Sequence, residues 1–454
     1  MSRPIDRRQF LATGTAVVGA GLALPQTAAA AAPTVWTRQG PPADLVRVAI
    51  MGVNSRGAQL ARAFTSVPGC AVSVICDVDR RAGDKAAALV EKASGTAPRL
   101  EPDVRKVLES SDVDALVIAA PDHWHAPAAI MACHAGKHVY VEKPCSHNPR
   151  EGEVLVAVAR STGRIVQMGN QRRSWNNVQE GIAAVHAGEI GRPYLARTWY
   201  ANTRGSIGTG KEVPVPEWLD YELWQGPAPR RPFLDNVVHY EWHWRWHWGT
   251  GESANNGTHM FDLARWGLGV EHPERVTSAG GRYHYADDWE FPDTQVVTLE
   301  YPDRRMITWE CMSSNGWRQE GQGVGVTFHG DKGSLSIDGN AYKVYDPKGT
   351  LVREVKAPER SELTTAGPGA SLDTGHAHNF LEAIRGKASL AADIDGGHTS
   401  TMMAHLSNIA WKTGRALTCD PATGRVTGDA EATAMWSREY EPGWEPKAGE
   451  RSEA

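Results

Sequence analysis

Val46-Arg47-Val48-Ala49-Ile50-Met51-Gly52-Val53-Asn54-Ser55-Arg56-Gly57 decides how the chain is read. Val46–Met51 has the apolar run of a buried strand. Gly52–Gly57 has the composition of a turn, and residues 58–66 carry the small and apolar spacing of a helix. The turn is a G-x-N-x-x-G variant, with Asn54 where a middle glycine is usual. Gly52 permits the tight turn, and Gly57 permits close packing of helix on strand. A helix that starts there offers unpaired N–H groups to a pyrophosphate. Residues 72–77 read as a second strand ending in Asp77, which stands 20 residues beyond Gly57. An acid at that point accepts hydrogen bonds from the adenosine ribose and repels a 2′-phosphate. The order strand, turn, helix, strand, acid therefore predicts dinucleotide binding and favours NAD. Arg80 and Arg81 leave NADP open, and a Gly-rich turn of an unrelated α/β domain is the plain alternative. The candidate cofactor residues here are Gly52, Asn54, Ser55, Arg56, Gly57 and Asp77.

Outward from this stretch, helices over 80–93, 104–110, 125–135 and 151–162 alternate with strands over 115–120 and 138–141. Short links between them predict a parallel doubly wound sheet over 45–165. After residue 165 the pattern changes. Runs at 194–200, 295–301, 306–311 and 323–329 alternate with period two, and 330–337 reads as a hairpin continued by 343–345. This predicts a second α+β domain over 166–425 with an open, mostly antiparallel sheet. Residues 356–375 read as a long polar loop, helices follow at 377–385 and 397–413, and 426–454 form a C-terminal segment.

The chain has 454 residues, 41% hydrophobic and 22% charged, as in a folded globular protein of two or three domains. A net charge of −5 gives no basic excess for nucleic acid or an acidic membrane surface. The six cysteines are scattered without metal-ligand spacing and read as buried free thiols, and no metal is expected. Seventeen tryptophans suit sugar rings as well as a core.

The first 32 residues read as an export address. Asp6-Arg7-Arg8-Gln9-Phe10-Leu11 precedes a short apolar run to Leu24 and an Ala-rich cleavage region. The paired arginines resemble a twin-arginine signal, with Asp6 and Ala12 departing from it; an ordinary secretion signal or a membrane anchor are the alternatives. Removing the segment takes away three arginines and one aspartate and leaves about −7. Residues 33–44 read as a linker. A periplasmic or secreted location follows, with the twin-arginine machinery as a partner and no stable membrane span.

Two further stretches carry a family likeness. Ala120-Pro121-Asp122-His123-Trp124-His125 follows the apolar strand, and Ala135-Gly136-Lys137-His138-Val139-Tyr140-Val141-Glu142-Lys143-Pro144 ends the next one. With 167–173, 221–228, 255–262 and 397–415, they resemble the glucose-fructose oxidoreductase, inositol dehydrogenase and rhizopine-catabolism (Gfo/Idh/MocA) family across almost the whole mature chain. The resemblance implies an N-terminal Rossmann domain, a C-terminal domain whose sheet covers nicotinamide and substrate, and assembly into a homo-oligomer. It implies hydride transfer at a sugar or polyol carbon, with Lys143 and His259 as the catalytic pair. It also adds Pro121, His125, Glu142 and Lys143 to the cofactor site. Family members often carry Asp four residues before the histidine; here Asn255 stands there and cannot take a proton. Gln171, Arg172, Arg173, Asn255 and His259 are the candidate substrate contacts.

Residues 239–248 alternate Trp with polar residues, so a strand would gather Trp242, Trp244, Trp246 and Trp248 on one face. That face is either a platform for a pyranose, with Trp246 touching substrate, or a buried layer under the sheet.

An exported dehydrogenase finds no obvious nicotinamide pool, so the expected cofactor is a tightly held NAD acquired before export. Three functions fit. One is an oxidoreductase acting on a carbinol of a sugar, polyol or glycoside. The second is an NAD-dependent glycoside hydrolase that oxidises, eliminates, adds water and reduces again. The third is a non-catalytic sugar-binding protein.

Overall fold

A computed structural model describes residues 45–357 and 370–448. The expected signal and linker lie outside the described residues.

In chain order the first region contains β1 (Val46–Met51), α1 (Arg56–Ser66), β2 (Cys70–Cys76), α2 (Arg80–Ser94), β3 (Arg99–Leu100), α3 (Val104–Glu109), β4 (Ala115–Ile118), α4 (Asp122–His134), β5 (His138–Val141), α5 (Pro149–Thr162) and β6 (Val166–Met168). Its six strands are parallel in the order β3-β2-β1-β4-β5-β6. All of β4 and β5 is buried, because helices cover both faces; that is why these strands read as unbroken apolar runs. The order reverses between β1 and β4, and such a switch point opens a crevice at the strand C-termini. Local signals set the helix ends. Asp79 caps α2 through the Arg81 N–H, and Asn148 caps α5 ahead of Pro149.

The second region contains α6 (Asn176–His186), β7 (Pro193–Ala201), α7 (Tyr221–Gln225), α8 (Gly251–Asn255), α9 (Gly257–Leu268), β8 (Arg275–Gly281), β9 (Thr294–Tyr301), β10 (Arg305–Met312), β11 (Val324–Gly330), β12 (Gly333–Asp338), β13 (Ala341–Tyr345), β14 (Leu351–Val355), α10 (Ala370–Ile384), α11 (Ile394–Thr413), β15 (Leu417–Cys419), β16 (Val426–Thr427) and α12 (Ala430–Ala434). Ten strands form one sheet, β14-β13-β12-β11-β7-β10-β9-β8-β15-β16, antiparallel except for the β7–β10 pair. Alternation puts Val297, Leu299 and Tyr301 of β9 and Ile307, Trp309 and Cys311 of β10 on the buried face. Met260, Phe261 and Ala264 of α9 and Met402, Met403 and Leu406 of α11 cover that face. Among the described residues no helix is long and apolar enough to cross a membrane. The six cysteines are free, and five are buried.

Two expectations change. The loop read over 356–375 ends earlier: α10 begins at Ala370, while 358–369 lie outside the described residues. Ala377, Phe380, Leu381 and Ile384 of α10 join the core of the first sheet beside Leu60 and Phe64, so the chain returns to the domain it had left. The tryptophan run 239–248 is not a strand. It holds a 3-10 turn at Glu241–Trp244, because short local bonds outcompete a ladder: the Trp242 indole donates to His239 O (2.8 Å) and the Trp244 indole to Glu241 (2.7 Å).

Candidate active site

A cavity of about 410 Å³ opens at the C-terminal ends of β1, β2, β4 and β5. Its first wall is the turn after β1. Gly52 has φ +81°, and a Cβ there would lie 2.6 Å from the Ala120 backbone. A Cβ on Gly57 would lie 2.0 Å from Gly52 O, so this glycine lets α1 start against the turn without reaching the cavity. Asn54, Ser55 and Arg56 line the cavity, and no side chain caps α1 at Ser55. An open helix start in a bare glycine cradle fits a pyrophosphate.

Asp77 also lines the cavity. It accepts from the Val53 N–H (2.6 Å) and the Asp79 N–H (2.8 Å), and burial pushes its carboxyl up to about 6. Arg81 is occupied elsewhere: its guanidinium bonds Asp79 and lies 3.6 Å over Trp218. That arginine is thus not free beside Asp77 to welcome a 2′-phosphate.

The second wall comes from α8, α9 and the 239–243 stretch. Lys143, at the end of β5, donates to Asn255 O (2.6 Å) and Asn255 Oδ1 (3.2 Å). Burial lowers its pKa, opposed by the negative charges of Glu142 and Asp122. The Asn255 amide donates in turn to Glu252 (3.2 Å), a buried carboxylate paired with Arg204 (2.7 Å), and Arg204 bonds the Tyr240 hydroxyl (2.9 Å). Lys143 and His259 line the same cavity. Burial, then the charges of Lys143 and Arg172, holds the His259 imidazole well below its usual pKa, and its Nδ1 has no protein partner. Asn255 and His259 stand on either side of the break between α8 and α9 rather than on one continuous helix.

Several expected contacts line the cavity but spend their polar atoms on one another. Arg56 bonds Glu142 (2.8 Å) and forks onto Asp373 of α10 (2.7 Å twice). Glu142 also accepts from Gln171 (2.8 Å). Burial works against its charge, but Arg56 and Lys143 keep its carboxyl below the usual range. His125 has Nδ1 2.6 Å from Pro144 O and Nε2 2.7 Å from Ala120 O, so its ring ties the loop after β5 to the loop after β4. Pro121 lines the cavity at the start of α4. Arg56, Glu142, Gln171 and His125 thus frame Lys143.

Three expected substrate contacts do not line the cavity. Arg172 and Arg173 follow Gln171 in a 3-10 turn, where successive side chains point about 120° apart. Arg173 pairs with Asp262 (2.8 Å) and lies 4.9 Å over Trp266. Arg172 lies 5.0 Å over Trp175, and burial pushes its pKa down to about 10. Trp246 stacks on Phe291 at 4.2 Å.

The sequence reading missed Asp122, Trp124, Arg204, Trp224, Tyr240 and His243, all of which line the cavity. His243 is the most informative. Its Nδ1 lies 2.6 Å from Tyr240 O, and a carbonyl only accepts, so Nδ1 carries the proton and Nε2 is left as an acceptor. Its ring stacks on Trp242 at 3.6 Å. Burial drives its pKa well down, aided by the charges of Lys143, Arg204 and His125. The signal was present in the alternating Trp/His run, but its strand reading pointed to Trp246 instead. Among the described residues, no group of three or more His, Cys, Asp or Glu could hold a metal.

Residues 46–170 match the oxidoreductase family described as an NAD-binding Rossmann fold, and residues 224–410 match its C-terminal alpha/beta domain. The chain belongs to the Gfo/Idh/MocA oxidoreductase family. Its first domain is thus of the NAD-binding Rossmann kind that the family model describes. The chain is similar to a glycosyl hydrolase family 109 protein of Saccharopolyspora erythraea, 35% identical over 231 residues, which cover 48% of this chain and 50% of that protein. The chain thus spans about half the length of that relative. It is 28% identical over 281 residues to inositol 2-dehydrogenase 4 of the same organism, covering 60% and 68%. In fold it resembles levoglucosan dehydrogenase in complex with NADH and levoglucosan, with TM-score 0.63 and 17% identity over 82% of this chain and 99% of that one.

Proposed function

We propose that this Gfo/Idh/MocA enzyme oxidises a carbinol of a sugar, polyol or glycoside, using an NAD that it retains. One observation supports this above all: Lys143 and His259 line the same cavity as Gly52 and Asp77. Gly52, Asn54 and Ser55 would hold the pyrophosphate, and Asp77 would take the adenosine ribose. Bound NAD supplies the acceptor for the two electrons that leave the carbinol carbon. Lys143 has three N–H donors and directs two at Asn255, so one is left for the carbinol oxygen. That contact strengthens as the oxygen gains negative charge. His259, kept unprotonated by burial and neighbouring cations, receives the hydroxyl proton. Asn255 does not exchange protons; it fixes the lysine.

A retained cofactor accords with export before use, and we propose that the paired Arg7-Arg8 sends the folded enzyme across the membrane. The test is direct. Mature protein is denatured and its nucleotide identified by mass, and native protein is then screened with pyranosides and polyols for the reduced-nicotinamide absorbance. Protein that carries no nucleotide, or never changes spectrum with any polyol, refutes the reading.

A second reading, redox-neutral cleavage of a glycoside, is favoured by His243. Elimination and re-addition need a base for a C–H proton besides the group that serves the carbinol. His243 Nε2 would supply one, from the 239–243 stretch beside α9. Release of an aryl aglycone with no lasting reduction of the nicotinamide would select this reading over net oxidation.

A further inference from the structure

Beyond α12 the described chain joins neither sheet. Residues 436–447 run back across α4 and α5, outside the two matched family ranges. We propose that this stretch is a clasp that sets how tightly the dinucleotide is held, with Trp444 and Arg438 as positioning residues. The inference rests on the retained NAD proposed above.

The join it guards is part of the cavity wall. Trp124 of α4 and Trp224 of α7 both line the cavity, and the Trp124 indole donates to Trp224 O at 2.9 Å. Contact there is close: a Cβ on Gly226 would lie 2.0 Å from the Trp124 ring. Trp444 meets the Trp124 ring edge to face at 5.2 Å, and the Arg105 guanidinium lies 4.8 Å over Trp444. Glu441 fastens the loop after α7, its N–H donating to Pro227 O (3.1 Å) and its carboxylate accepting from the Arg230 N–H (3.2 Å). The α7 wall is thus tied to the Rossmann side partly through this one stretch of chain.

Its anchor is buried. Arg438 donates to Glu151 (2.9 Å) and to His123 O (2.8 Å), and Tyr440 donates to the same Glu151 oxygen (3.0 Å). Glu151 is 0% exposed. A buried carboxylate needs such partners, so this end of the clasp stays fixed while the Trp444 end meets the wall. Release of a dinucleotide requires the wall to part, and local opening is governed by the contacts that hold it shut.

The test uses holoenzyme loaded with NADH, chased with excess NAD while nicotinamide fluorescence reports release. Trp444→Ala is expected to speed release about 10-fold, the size of one lost edge-to-face aromatic contact. Turnover at saturating NAD should stay within about 2-fold, because no reacting group is touched. Trp444→Phe should restore slow release. Glu441→Ala is the milder second variant and should speed release in the same direction, so a poorly folded Trp444→Ala leaves the test intact. Wild-type protein that releases NADH at once would overturn the retention reading itself. Slow release by wild type and by both folded variants alike would overturn the clasp and leave retention standing.

Discussion

The two walls of the cavity are built by different means. On the Rossmann side the contacts are backbone: a glycine at φ +81°, an uncapped helix start, and a carboxylate steadied by two N–H groups. The opposite side meets it through side chains in series, which start from Lys143 at the end of β5 and cross through Asn255, Glu252 and Arg204 to Tyr240. The first wall suits a ligand that never varies. The second can be altered one side chain at a time, and that is where substrate choice and reaction outcome belong.

That contrast can be broken most forcefully at Lys143. Lys143→Met should lower kcat by about 10³-fold while NAD binding, read by fluorescence titration, changes little. Equal loss of both would mean the walls are not separable. Gly52→Ala should do the opposite. A methyl 2.6 Å from the Ala120 backbone, on a residue at positive φ, should weaken NAD by at least about 10²-fold in protein that still folds.

The two imidazoles sharpen the side-chain wall. His259→Asn should slow sugar oxidation by about 10²-fold. His243→Asn should leave single-turnover nicotinamide reduction within a few-fold and slow aglycone release instead. If His243→Asn blocks reduction as strongly as His259→Asn, the division of labour between them is wrong.

A smaller effect tests the backbone wall. In the proposed binding mode Asp77 would accept from the ribose hydroxyls as a carboxylate, and burial raises its pKa to about 6. The acceptor is present above that pH and lost below it, so NAD affinity should fall as pH drops through 6, measured by isothermal titration. Asp77→Asn should bind more weakly, by about 10-fold, and flatten that dependence. The smallest effect is expected at Trp246, outside the cavity. Trp246→Phe should leave kcat/KM within about 2-fold, which would separate the tryptophan run's packing residues from its cavity residues.

Most of the first wall was legible in the residue order, because its parts are local. Gly52, Gly57 and Asp77 follow one another through a strand, a turn, a helix and a strand, and each constraint acts within that unit. The second wall was legible only in part. Lys143, Asn255 and His259 came from motifs, whereas Arg204, Tyr240 and His243 did not, since nothing nearby in sequence shows which side they face. The 239–248 run shows why: its alternation matches a strand, but indole-to-backbone bonds and the stacking of Trp244 on Trp289 at 3.7 Å curl it into a turn. Arg173 failed as a substrate contact for a similar reason, because Asp262, 89 residues away, claims it.

From its sequence alone this protein's parallel doubly wound sheet, its mostly antiparallel second sheet and the glycine turn after β1 could be stated, because hydrophobic period and glycine sterics act over a few residues; Lys143 and His259 came as candidates from motif likeness. Tertiary structure decided which polar side chains face the cavity and which are consumed in pairs, and it brought α10 and the C-terminal stretch back onto the first domain. A charged or aromatic side chain takes the partner that burial sets beside it, and that partner is often more than a hundred residues away along the chain.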